Sequence, residues 1–168
     1  MASLITSSFS ILLFLCMLNS ATASTNFSAI FAFGDSTVDS GNNNHLFTLF
    51  HGDHFPYGRD FSGHLPNGRF SNGKIATDYL AQFLGLKDLL PAYFDRLVTD
   101  SDLVTGVSFA SGGSGLDPNT VALTRVIDLS SQLASFEQAL QRITRVVGNQ
   151  KANDIYTRKC LVCDQYWD

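Results

Sequence analysis

Two short apolar segments each run straight into glycine, and that repetition restricts the possible folds more than any other feature of the chain. The first is FSAIFAF (residues 27–33), followed by Gly34. Aromatic and β-branched residues without polar alternation mark a strand buried on both faces. The second, LVTGVSFA (103–110), enters SGGSG (111–115). Helical patterns separate and follow them. Residues 72–84 set Ile75, Tyr79, Leu80 and Phe83 on one face, with Gly85 as a stop. Val126, Leu129, Leu133, Phe136, Leu140, Ile143 and Val147 alternate steps of three and four before Gly148, the clearest amphipathic helix in the chain. Strands alternating with helices predict an α/β domain with a parallel sheet, whose ligands sit at the carboxyl ends of the strands.

Ser36 and the SGGSG loop occupy two such ends. A helix is expected to start just after Ser36, which would set its hydroxyl where free backbone N–H groups stabilise an anion or a developing oxyanion. GDSTVD is not a Gly-x-Ser-x-Gly elbow, because Val38 stands where the second glycine belongs. On residue type alone Ser36 serves equally well as a helix N-cap. Residues 40–72 mix Gly, Asn, His, Pro and Phe with turn dipeptides and no sustained period, the pattern of a long functional loop.

The 168 residues carry a net charge of −4 with both signs scattered, which gives no electrostatic footprint for nucleic acid. Residues 1–23 combine an apolar core (11–18) with the small-residue site Ala21-Thr22-Ala23, the pattern of a secretory signal cleaved near Ala23, although no Lys or Arg precedes the core. Its core is too short to span a bilayer. Secretion would make Asn26-Phe27-Ser28 a glycosylation sequon. Cleavage near Ala23 leaves about 145 residues, the size of one domain, of which residues 24–155 are expected to be the N-terminal part. Cys16 leaves with the signal. Cys160 and Cys163 could be a metal half-site or redox pair, but no second Cys or His pair follows, so unrelated thiols are the simpler reading. The spacing of His45, His51 and His54 is not that of a metal site, and neither metal nor cofactor is expected.

FAFGDSTVDSGNNN (31–44), PYGRDF (56–61), PNGRFSNGKIATDYLAQFLGL (66–86) and GVSFASGGSGLD (106–117) occur in this order. Together they resemble the plant branch of the GDSL esterase/lipase family, the SGNH hydrolases, over residues 27–153. The resemblance implies a three-layer, flavodoxin-like fold with a parallel sheet. It also implies hydrolysis of carboxylic esters, of acyl lipids or small acyl compounds, through an acyl-enzyme. By the same resemblance Ser36 is the nucleophile and contributes its N–H to the oxyanion hole, with Gly112 or Gly113 as the second donor and Gly115 shaping the loop. Asp35 shapes the turn, and Asp39 with Asn42, Asn43 and Asn44 braces it through side-chain to backbone hydrogen bonds. Phe47, Phe50, Phe55, Tyr57 and Phe61 either line an acyl pocket or pack beneath the loop.

Two elements of the family pattern are unmatched. The family carries an oxyanion Asn after a Gly-x pair and a later Asp-x-x-His that supplies the base. Here no His follows His64, and Asn153-Asp154 follows Lys151-Ala152, a polar lead-in to a strand rather than that block. The chain is therefore expected to be inactive as it stands, unless Ser36 improvises a dyad with His45 or His64; the alternative to an esterase is a non-catalytic form, either a truncated fragment without function or a binding or regulatory form. Where an apolar third strand belongs, residues 156–168 read YTRKCLVCDQYWD. Shifted by one base, the possible codons permit an apolar strand ending in Gly-Thr, so the tail is expected to be out of frame, a property the transcript sequence checks directly. The fold is then expected to stop after the second strand region, with the flank of the first strand an apolar edge. Cys160, Cys163 and Trp167 would be accidents of frame.

Overall fold

The structure, a computed structural model, describes residues 27–116, 119 and 123–164. The signal segment, Cys16, the Asn26 sequon and Trp167 lie outside the described residues. Among the described residues the elements are β1 (Ala29–Phe33), α1 (Ala76–Phe83), α2 (Asp100–Thr105), β2 (Gly106–Ser108), α3 (Leu129–Val147), α4 (Asn149–Arg158) and β3 (Cys160–Asp164), with short 3-10 turns at Asn42–His45 and Ser62–His64.

All five residues of β1 are buried because it is the central strand and both its faces are covered. Ala29, Phe31 and Phe33 meet Val107, Phe109, Ala139, Ile143, Ala152 and Ile155 on one side. Ile30 and Ala32 meet Ala81, Leu90 and Ala110 on the other. Alternating side chains of one strand thus feed two apolar layers, one beneath α3 and α4 and one beneath α1. The result is the expected parallel α/β architecture, consistent with the flavodoxin-like fold of the SGNH hydrolases.

The expected open flank of β1 is not found. Residues 160–164 form β3, parallel to β1 in the register Ala29↔Cys160 to Phe33↔Asp164, and the sheet order is β2-β1-β3. An apolar edge with unpaired N–H and C=O groups is satisfied by the nearest segment able to extend, and CLVCD does so. Cys160 joins one core layer and Cys163 the other. Opposite faces of one strand cannot form a redox pair, and both thiols are free.

Other boundaries differ from expectation for local reasons. Residues 103–105 are helical rather than extended, because Thr99 and Asp102 close a reciprocal capping box that starts α2. Gly106 (φ +101°) then turns the chain into β2, and it passes so close to Ile30 that any side chain would overlap that backbone. Helix α1 begins at Ala76, and its buried positions are Thr77, Asp78 and Ala81. Tyr79 and Phe83 of the expected stripe are exposed. The helix ends as expected at Gly85, with Leu86 N–H to Ala81 O and Gly85 N–H to Gln82 O. Helix α3 is capped by Asp128 and begins after Val126. Its buried residues are Gln132, Ser135, Ala139 and Ile143, while Leu133 is exposed. Residues 149–158, the expected lead-in containing Asn153-Asp154, are helix α4.

Candidate active site

The segment after β1 is a side-chain-built turn, not a helix. Asp35 Oδ1 accepts from Thr37 N–H (2.8 Å) and Thr37 Oγ1 (2.9 Å). Asp39 Oδ1 accepts from Gly41 N–H (2.7 Å) and Asn42 N–H (2.8 Å). These carboxylates take the N–H groups that a helix would have left free or used itself, which is why the expected helix start fails. Ser36 stands half-buried at the corner of the Asp35 turn.

Asp39 and the asparagines then join this turn to the loop after β2. Asp39 Oδ2 accepts from Gly112 N–H at 2.8 Å. Asn42, fully enclosed, donates through Nδ2 to Ser108 O (2.9 Å) and Ala110 O (2.7 Å) and accepts from Phe94 N–H (3.1 Å). Asn43 Nδ2 donates to Phe50 O and Gly112 O, both at 2.8 Å, and its Oδ1 accepts from Ser111 Oγ. Asn44 Nδ2 reaches Asn67 O at 3.3 Å. Burial of polar side chains is tolerated here because each joins backbone groups that would otherwise be stranded between two loops. Burial also raises the Asp39 pKa to about 6, against the pull of its three N–H donors and the positive charge of Arg69.

Gln132, on the buried face of α3, is a site residue that sequence reasoning does not find. Its Oε1 accepts from Gly34 N–H (2.9 Å) and its Nε2 donates to Gly34 O (3.0 Å) and Ile127 O (3.2 Å), so one amide grips both polar groups of the residue that follows β1. Gly34 O also accepts from Ser114 Oγ (2.8 Å) and Ser111 N–H (3.0 Å). The available signal is a glutamine at stripe spacing between Leu129 and Phe136. Arg69 and Asp78 likewise escape a reading by sequence. Their buried pair, at 2.8 Å through both Nε and Nη2, fastens the long loop to α1.

Ser36 borders a cleft of about 410 Å³ with Asp35, Leu49, Phe50, His51, His54, Tyr57, Phe70 and Gly113. Gly113 adopts φ +85°, and a side chain there would strike the Phe50 ring. Gly112 faces Phe70 with its N–H committed to Asp39, which leaves Gly113 as the glycine at the cleft. Gly115, half-buried, does not line it. The cleft histidines are His51 and His54, not the His45 or His64 considered for a dyad. His51 Nδ1 lies 3.7 Å from Asp53 Oδ1. His54 Nδ1 lies 2.8 Å from Phe55 O; a carbonyl only accepts, so that nitrogen carries the hydrogen and Nε2 of the neutral ring is left as an acceptor. Of the loop aromatics, Phe50 and Tyr57 line the cleft, while Phe61 lies under the Arg69 guanidinium.

A serine at the carboxyl end of a central parallel strand, beside a glycine loop from the neighbouring strand, is the arrangement of a flavodoxin-like α/β protein whose cleft lies at the strand exits. The chain belongs to the GDSL-like Lipase/Acylhydrolase family, whose model matches residues 30–159. It is 48% identical over 152 residues to GDSL esterase/lipase At2g40250 of Arabidopsis thaliana, covering 90% of this chain and 42% of that protein. GDSL esterase/lipase At1g73610, also of Arabidopsis thaliana, is 52% identical over 124 residues, 74% of this chain and 36% of that protein. The anther-specific proline-rich protein APG of the same plant is 45% identical over 124 residues, 74% of this chain and 23% of that one. The chain thus spans about two-fifths or less of the length of these relatives. No solved structure matches it. Among the described residues no helix is long and apolar enough to cross a membrane.

Proposed function

We propose that this chain carries the nucleophile and oxyanion half of a GDSL-type serine esterase acting on carboxylic esters of acyl lipids or small acyl compounds. The observation that supports it most is that Ser36, at the exit of β1, and Gly113, at the exit of β2, border one cleft. Ser36 Oγ attacks the ester carbonyl and gives its proton to a base. The N–H groups of Ser36 and Gly113 receive the oxyanion. Collapse expels the alcohol, which takes a proton, and water then releases the acid from the acyl-enzyme and restores Ser36. Gly112 anchors the loop through Asp39. Asp35 shapes the turn.

The base is the part in question, since no His follows His64 in the 168 residues. The chain is therefore expected to react slowly alone and to be rescued by free imidazole. Labelling of Ser36 by a small fluorophosphonate should rise with imidazole concentration and vanish in Ser36→Ala. Equal labelling in Ser36→Ala would end the esterase reading. Fast labelling without imidazole that falls in His54→Ala would assign the base to the cleft. The second reading, a non-catalytic binding or regulatory form, rests on the same histidine inventory and expects no labelling at any imidazole concentration.

We also read residues 1–23 as a secretory signal and Asn26 as a glycan acceptor, supported by the apolar core and the Ala21-Thr22-Ala23 site. Expression in a secreting host should release protein beginning at Ser24 and carrying a glycosidase-sensitive mass. Retention of residues 1–23 in the recovered protein would count against it.

A further inference from the structure

A second hollow of about 360 Å³ adjoins the Ser36 cleft, bordered by Phe47, Thr48, Leu49, Phe50, Leu123, Thr124 and Arg125. Leu49 and Phe50 belong to both hollows, whereas Phe47, Leu123 and Arg125 belong only to the distal one. Phe47, Leu49 and Leu123 are 86%, 96% and 84% exposed, so three large apolar side chains stand in water around one groove. Exposed apolar surface clustered in this way marks a binding site. The two walls come from segments far apart in the chain, and Thr48 Oγ1 joins them by donating to Thr124 O at 2.6 Å.

The distal end carries charge. The Arg125 guanidinium lies 5.8 Å over the Phe47 ring, and none of the ion pairs among the described residues uses it. Arg125 also holds φ +56°, a left-handed conformation that a non-glycine residue adopts at a cost. A strained arginine, stacked on an aromatic ring and outside those ion pairs, is suited to receive an anionic oxygen group through its fork of donors.

The geometry points to a subsite for an acyl chain that ends in an anionic group, the chain running from the Ser36 cleft past Leu49 and Phe50 and its terminal carboxylate meeting Arg125. This rests on the reading of Ser36 as the acylated residue, and it narrows the substrate class to esters of ω-carboxy acyl chains. Phe50 is the hinge of the arrangement, since it borders both hollows and packs against Gly113, the proposed oxyanion donor.

Calorimetric titration of the whole chain with monomethyl decanedioate and with methyl decanoate tests it. These probes share a neutral ester and differ in the charge at the far end. The charged probe is expected to bind about tenfold more tightly, the worth of one charge-assisted contact. Arg125→Asn removes the charge with a residue that tolerates the left-handed conformation, and should erase that preference while methyl decanoate still binds. Leu123→Trp should weaken both probes. No preference in the unsubstituted chain, or a preference that survives Arg125→Asn, would overturn the subsite. In parallel, the charged probe should slow imidazole-driven phosphonate labelling of Ser36. If Ser36 is never labelled but the two probes still separate at Arg125, the esterase reading falls and the binding groove stands; if labelling occurs but the charged probe leaves it untouched, the groove is not the acyl path.

Discussion

Arg69→Leu is expected to destabilise the protein by about 3–5 kcal/mol, the usual cost of removing one member of a buried ion pair. Arg69 and Asp78 are 5% and 0% exposed at their side chains. The substitution leaves the Asp78 carboxylate buried with only the N–H groups of Ile75 (3.0 Å) and Leu90 (2.8 Å) as partners. It also strands Ser40 O and Leu90 O, which Arg69 contacts at 3.2 and 2.8 Å. The pair therefore holds three segments together: the turn after β1, the start of α1, and residues 90–93, which pair with Ser108 at the end of β2. A buried ion pair can often be exchanged for apolar residues without loss. Here the exchange should fail, because the N–H groups of Ile75 and Leu90 and the carbonyls of Ser40 and Leu90 all depend on the pair. The double variant Arg69→Met/Asp78→Leu is expected to remain at least about 2 kcal/mol less stable than the parent. Urea unfolding, read as a midpoint shift at constant slope, measures both. A loss below about 1 kcal/mol in the single variant would mean that water reaches Asp78.

How much of the molecule is legible in its sequence depends on how local each cause is. β1 is readable because a strand buried on both faces needs an apolar residue at every position, and a run such as AIFAF has few other uses. Residues 103–105 mislead because Val104 and Thr105 favour strands, while the capping box that overrides them depends on Thr99 and Asp102, both outside the apolar run. The helix expected after Ser36 loses to Asp35 and Asp39, whose short side chains compete for the same N–H groups. Gln132 binds a residue 98 positions away, and no periodicity reports such a partner. The cleft histidines are hidden for the same reason: which imidazole faces Ser36 depends on how residues 46–57 fold back, and all four histidines look alike in sequence. β3 is obscured when residues 156–168 are judged against a family pattern, whereas the open edge of β1 asks only for a short apolar segment able to extend.

Asp39 should give the protein a pH dependence opposite to that of an ordinary salt-bridged carboxylate. Its pKa is raised from 3.8 to about 6 because burial disfavours the charge. Above pH 6 both folded and unfolded states hold Asp39 ionised, and the full cost of burying that charge is present. As pH falls from 6 towards 3.8 the folded state binds a proton that the unfolded state does not, so this group's contribution to stability rises through that window and is flat below it. At about 1.4 kcal/mol per unit the rise amounts to about 3 kcal/mol. Asp102 and Asp128, whose pKa values are lowered mainly by hydrogen bonds from Thr99 and Ser131, push the other way. The isolating measurement is therefore the stability difference between the parent and Asp39→Asn at pH 4 and pH 7. The amide of that variant cannot titrate, and its meeting with the Gly112 N–H adds an offset that does not vary with pH. The parent should gain about 2 kcal/mol on Asp39→Asn between pH 7 and pH 4, most of that rise; a difference that stays constant would show that Asp39 is hydrated. The consequence reaches the site, since Asp39 is the group that holds Gly112, and with it Gly113, at a fixed distance from the Ser36 turn. Above pH 6 the protein maintains a buried negative charge that ties the loop after β2 to the turn after β1, and that charge is tolerated because three backbone N–H groups converge on it.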